Sequence, residues 1–170
     1  PYYSAFEACV QSVMASFNSW NGVKMHGHEY LLTDVLRDQM GFNGLVVGDW
    51  NGHGEVPGCT NANCPESFNA GVDIYMAPDE WKELYTNTVR AVKSGDISED
   101  RLDDAVRKIL TVKDRLGMLN GRKPHEYENY VGKIEHRELA REAVSKSLVL
   151  LKNNDNLLPL DSSKHFLVIG

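Results

Sequence analysis

No apolar run in this chain approaches the ~18 residues needed to cross a bilayer, so no membrane-spanning helix is expected. A basic excess is also missing. The formal net charge is −6, which leaves no electrostatic footprint for nucleic acid. Low-complexity tracts are absent, and the only repetition is an alternation of strand-like and helix-like segments. Cysteine is sparse, with Cys9, Cys59 and Cys64 alone, and neither a second cysteine pair nor a suitably spaced histidine pair accompanies them. That spacing argues against a zinc site. An initiator Met is lacking at Pro1, and the last residues, Phe166 to Gly170, form an apolar strand-like run with nothing after it to pair with. Both ends read as cut, and the expectation is an internal piece of a larger protein.

What is present is ordinary for a globular chain, and 170 residues suffice for a domain with a core. Ser12 to Phe17 reads as a strand, followed by a polar loop from Asn18 to Gly27. A helix is expected from about Glu29 to Met40, with Leu31, Leu32, Val35, Leu36 and Met40 as its apolar stripe and Gly41 as its stop. Leu45-Val46-Val47 has the continuous apolar character of a strand buried on both faces of a parallel sheet. After a Gly/Asn-rich loop, Asn51 to Pro65, come a helical turn near Glu66 to Ala70 and a strand, Val72 to Met76. Two helices follow: about Glu80 to Lys93, stopped by Gly95, and one capped by Ser98 and running to Gly117. Three strands joined by helical connections imply an α/β fold of repeated βα units. From Met118 to Glu135 the periodicity is lost, as in an interdomain linker. A helix from His136 to Ser147, a strand-like Leu148 to Leu151 and the final apolar run then open a second domain.

The densest signal is Gly44-Leu45-Val46-Val47-Gly48-Asp49-Trp50. In parallel sheets, ligands and catalytic groups gather at the carboxyl ends of strands, where Asp49 would sit beside an indole able to stack on a sugar. A turn-forming Asp is the local alternative. Cys9 reads as a small core residue. Cys59 and Cys64 flank the turn-prone Thr60 to Asn63, which brings a local disulfide within reach; the alternative is two free thiols on an exposed loop. A disulfide implies a periplasmic or secreted setting. His26, His28 and His53 read as ordinary loop histidines rather than a metal site. Trp20 and Trp81 read as packing residues. Glu99, Asp100, Asp103 and Asp104 read as a solvated helix face.

Five blocks, in order, resemble glycoside hydrolase family 3: Val13 to Gly22, Gly41 to Trp50, Ala70 to Met76, Arg101 to Leu110 and Lys146 to Asn153. The loop from Asn51 to Cys64 is most similar to bacterial β-glucosidases and exo-β-glucanases of that family. The resemblance implies that residues 1–117 are the C-terminal part of a (β/α)8 TIM barrel, 118–135 a linker, and 136–170 the beginning of an α/β sandwich domain. It makes Asp49 the nucleophile of a retaining glycosidase, Trp50 a stacking platform, and Met14 and Phe17 walls of the pocket for the terminal glucosyl unit. Two positions depart from the family pattern: Gly48 stands where Ser is usual, and Phe17 where Tyr is frequent.

A retaining glycosidase needs two carboxyl groups about 5–5.5 Å apart. Glu29, Asp34 and Asp38 are expected on solvated surface, and Glu55 on a loop. The resemblance puts the acid/base beyond Gly170 and the residues gripping the glucose hydroxyls before Pro1. The chain alone is therefore expected not to hydrolyse glycosides. The substrate implied is a β-linked gluco-oligosaccharide, with no metal or organic cofactor. The rivals are a β-xylosidase or broad exo-β-glucanase of the same family, and a non-catalytic carbohydrate-binding or scaffold segment. Oligomeric state is not legible.

Overall fold

A computed structural model describes residues 1–121 and 131–169. The chain divides into two compact units, 1–123 and 124–170. The first is a mixed α/β unit. A short helix, α1 (Tyr2–Glu7), leads into β1 (Ser12–Met14). With β4 (Leu45–Trp50) and β5 (Ile74–Met76), this strand forms a three-stranded parallel sheet in the order β1-β4-β5. Ser12 pairs with Leu45 and Met14 with Val47, so β4 lies at the centre. Its burial on both faces explains the unbroken Leu45-Val46-Val47 run, and Val46 is fully buried.

The segment between β1 and β4 contains a feature not expected from the sequence. A β-hairpin of β2 (Ser19–Trp20) and β3 (Val23–Lys24) occupies the stretch read as a polar loop. Its two turn residues, Asn21 at φ 50° and Gly22 at φ 82°, both take the left-handed conformation. Asn-Gly favours that two-residue hairpin turn, so the sequence does carry the signal, within a polar setting that reads as a loop. A 3-10 turn, Met25–Gly27, leads to the helix Tyr30–Gln39. This helix is wound with π-type bonds, as where the Met40 N–H donates to the Val35 carbonyl at 2.9 Å. The apolar stripe foretells a helix packed here but carries no information on its pitch. Leu32 and Leu36 pack with Ala15, Phe42, Val46 and Val72 to form the core on this face.

The short helix α2 (Pro65–Asn69) leads to β5, and α3 (Trp81–Ser94) and α4 (Glu99–Arg115) follow. Phe68, Ala91, Ile97 and Ala105 form a second core cluster among them. Gly95 ends α3 at φ 87°, and the Ser98 hydroxyl accepts the Arg101 N–H at 3.1 Å, capping α4 as its sequence implied. Among the described residues no helix is long and apolar enough to cross a membrane.

Several expectations are corrected. Cys9 is exposed rather than in the core, because it closes the turn after α1 in the left-handed conformation, φ 59°. Trp20 and Trp81 are about half exposed, since one lies at a hairpin tip and the other opens α3. In the second unit, α5 spans Ile134–Ser147 and carries no buried residue. Leu148 to Leu151 and Phe166 to Ile169 are exposed and form no strand there, for no described segment of that unit pairs with them. Much of the expected linker, residues 122–130, lies outside the described residues.

Candidate functional site

β4 ends in Asp49 and Trp50, where its ladder to β5 is irregular. Val47 pairs with Ile74 and Trp50 with Met76, so three steps along β4 face two along β5. The extra residue is a β-bulge, a feature that turns a side chain out of its regular alternation. Asp49 is half-buried at the carboxyl end of the sheet, and Trp50 beside it is 61 % exposed. The Trp50 N–H donates to Asp49 Oδ1 at 2.7 Å, which orients the carboxyl group. The Asp49 N–H donates to His26 Nε2 at 2.8 Å. Asn51 takes up the turn after the strand in the left-handed conformation, φ 52°, and its N–H donates to the Met76 carbonyl at 2.9 Å.

The loop beyond is fastened at several points. Cys59 and Cys64 are joined in a disulfide with Cα atoms 4.8 Å apart, closed over a Thr60–Asn63 bridge. His53 Nε2 donates to the Asn61 carbonyl at 2.8 Å, a carbonyl being only an acceptor. The Tyr75 hydroxyl donates to the Cys64 carbonyl at 2.5 Å, and Asn87 holds the Ala62 carbonyl at 2.8 Å. Burial pushes the Tyr75 phenol well above its ordinary range. Gly54 packs closely on Asn61: a Cβ there would lie 2.0 Å from its Oδ1 and 3.0 Å from its backbone nitrogen.

The three histidines are buried, not ordinary loop residues: His26 is 1 % exposed, His28 7 % and His53 1 %. They do not converge. Among the described residues, the one group of three metal-ligating side chains in reach of a common ion is Cys59, Cys64 and Glu66, and its two sulfurs are bonded to each other. Phe17 carries the Lys24 ammonium 5.5 Å from its ring centre, and Lys24 pairs with Glu55 at 3.4 Å. Met14 lies opposite Val47, two residues before Asp49, and lines an apolar groove of about 260 Å³ with Met25, Leu31 and Val35. Glu29, Asp34 and Asp38 are exposed, as their spacing implied.

At the other end of β4 stands a group whose role the sequence did not disclose. Asp73 is buried and accepts from Arg37 at 2.6 Å, Arg101 at 2.9 Å and the Val46 N–H at 2.8 Å. The Arg101 guanidinium also covers the Phe68 ring at 4.5 Å. Asp104, read as part of a solvated face, is half-buried and paired with Lys108, with Arg101 3.7 Å away. Burial pushes its carboxyl up, but the Lys108 hydrogen bond and the charges of Lys108, Arg101 and Arg37 outweigh burial and leave it below the ordinary value.

Comparison with known proteins agrees with this architecture. The profile of the glycosyl hydrolase family 3 N terminal domain matches residues 1–112. The periplasmic beta-glucosidase of Salmonella typhimurium is 36 % identical over 182 residues, covering 100 % of this chain and 23 % of the relative. The beta-xylosidase of Formosa agariphila is 37 % identical, covering 96 % of this chain and 25 % of the relative. Among solved structures, the exo-1,3/1,4-beta-glucanase of a Pseudoalteromonas species is similar with a TM-score of 0.78 and 52 % identity, covering 94 % of this chain and 21 % of that one. The chain thus spans about a quarter of the length of the curated relatives it matches. It belongs to glycosyl hydrolase family 3.

Proposed function

We propose that this chain is the nucleophile-bearing part of a retaining β-glucosidase that removes terminal β-linked glucosyl units from oligosaccharides or glucans. The observation that carries this reading is Asp49 at the carboxyl end of the central parallel strand, its carboxyl oriented by the Trp50 amide and an exposed indole beside it. Asp49 attacks the anomeric carbon, forming a glycosyl-enzyme that water then hydrolyses. Trp50 stacks on the sugar beyond the scissile bond, and Met14 and Phe17 border the terminal unit. In this reading residues 1–117 belong to a (β/α)8 barrel, 118–135 to a linker, and 136–170 to the start of a sandwich domain that supplies the acid/base. A periplasmic or secreted location fits the Cys59–Cys64 disulfide and the location in the name of the Salmonella relative.

Incubation of the full-length protein with a 2-fluoro-glucoside, followed by peptide mass mapping, tests the nucleophile. A label on the Asp49 peptide is expected; turnover of ordinary glucosides with a label elsewhere overturns the assignment. The isolated 170-residue chain should not turn over an aryl β-glucoside. An exo-β-glucanase preference is the second reading, favoured by the 52 % identity to the Pseudoalteromonas enzyme. Relative kcat/KM on glucans, aryl glucosides and aryl xylosides separates these and the β-xylosidase alternative.

A further inference from the structure

A β-bulge takes one residue out of the ladder, and its backbone N–H must find another acceptor or stay unsatisfied. In this protein the residue is at the Val47–Trp50 irregularity, and the Asp49 N–H goes to His26 Nε2 at 2.8 Å. An amide can only donate, so that nitrogen is bare and the ring proton of the neutral imidazole sits on Nδ1. The ring has little freedom. It is 1 % exposed, held by the 3-10 turn Met25–Gly27, and enclosed by two glycines of the site segment. A Cβ at Gly48 would stand 3.4 Å from Nε2, while one at Gly52 would stand 2.3 Å from Cε1 and 2.4 Å from Nε2. Gly52 is thus a position that the imidazole requires to be bare.

We propose that His26 is the positioning residue for Asp49: as a neutral hydrogen-bond acceptor it fixes the backbone from which the nucleophile projects. The proposal rests on Asp49 being that nucleophile. A protonated ring would turn an N–H toward the Asp49 N–H and abolish the contact, so the device works only while His26 is neutral. The charged or titratable groups acting on it are Asp49 from β4, His53 from the following turn and Lys24 from β3. Burial lowers the His26 pKa most, the Asp49 charge opposes this, and His53 and Lys24 add to the lowering. The ring therefore keeps its neutral form to lower pH than a free imidazole does.

The test measures the rate at which a 2-fluoro-glucoside labels Asp49, as a function of pH, in the full-length protein and its variants. His26→Leu removes the acceptor, and slowing on the order of a hundredfold is expected, the scale that a small misplacement of a reacting group produces. His26→Gln returns an acceptor that does not titrate; it should recover most of the rate and show a shallower acid limb than wild type. Gly52→Ala, which drives a methyl into the imidazole, should slow labelling as His26→Leu does, and it decides the matter if the Leu variant does not fold. A folded Leu or Ala variant labelled at the wild-type rate overturns the proposal. So does a Gln variant with the wild-type acid limb. Failure of wild type to label at Asp49 is a different result: it sinks the nucleophile reading itself, and this proposal with it.

Discussion

The two ends of β4 solve one problem with opposite chemistry. At each, a backbone N–H is satisfied by a side chain from a distant part of the chain: Val46 by the Asp73 carboxylate, Asp49 by the His26 imidazole. At the amino end the acceptor is an ion held between two guanidinium groups, which also bind the carbonyls of Gly44, Phe68, Gly71 and Val72. At the carboxyl end the acceptor is a neutral ring whose state depends on proton concentration. Fastening a strand in a core calls for strong, permanent charge pairing. Holding the carboxyl proposed as the nucleophile calls for an acceptor that adds no negative charge next to it.

The contrast sharpens under substitution. The largest effect is expected at the amino end. Asp73→Ala takes the paired carboxylate from the largely buried Arg37 and leaves Arg101 only its 3.7 Å contact with Asp104, and a loss of about 3–5 kcal/mol in urea unfolding is expected. Gly52→Ala overpacks the carboxyl end against His26 and should cost about 1–3 kcal/mol, with the activity loss exceeding what instability explains. A Ser98→Ala change removes the hydroxyl that caps α4 at the Arg101 N–H, costs about 1 kcal/mol and should leave activity unchanged. The smallest effect is the pH dependence. His26 titrates below its ordinary value of 6.5 when folded, so the unfolded chain takes up its proton first. The stability it confers is complete above about pH 6.5 and falls as pH drops toward the folded value. His26→Gln should remove that slope, which Tm against pH would record.

The elements governed by local pattern are legible in the sequence: the central strand from its apolar run, the stop at Gly95, the cap at Ser98. The Asp49-Trp50 pair stands out because it terminates that run. What is not legible acts across the sequence. Asp73 meets Arg37 and Arg101 across 36 and 28 positions, and His26 meets Asp49 across 23. No residue spacing announces such contacts. The bulge is hidden for a related reason, since it is a property of two strands together and β4 alone reads as regular. The Asn21-Gly22 turn is different, having a local signature that the surrounding polarity obscures. The Leu148 to Leu151 strand failed because an apolar run specifies a strand only when a partner edge meets it.

The bulge also bears on how this protein can change over time. Trp50 stays opposite Met76 whether or not the extra residue is there, so losing Gly48 or Asp49 would restore an even ladder and leave the pairing on either side of it unchanged. Point changes around Asp49 alter its surroundings by degrees; a single-codon deletion at Gly48 or Asp49 removes the bulge, or the carboxylate itself. A lineage can thus tune this carboxylate gradually, yet abandon it in one step with the sheet intact.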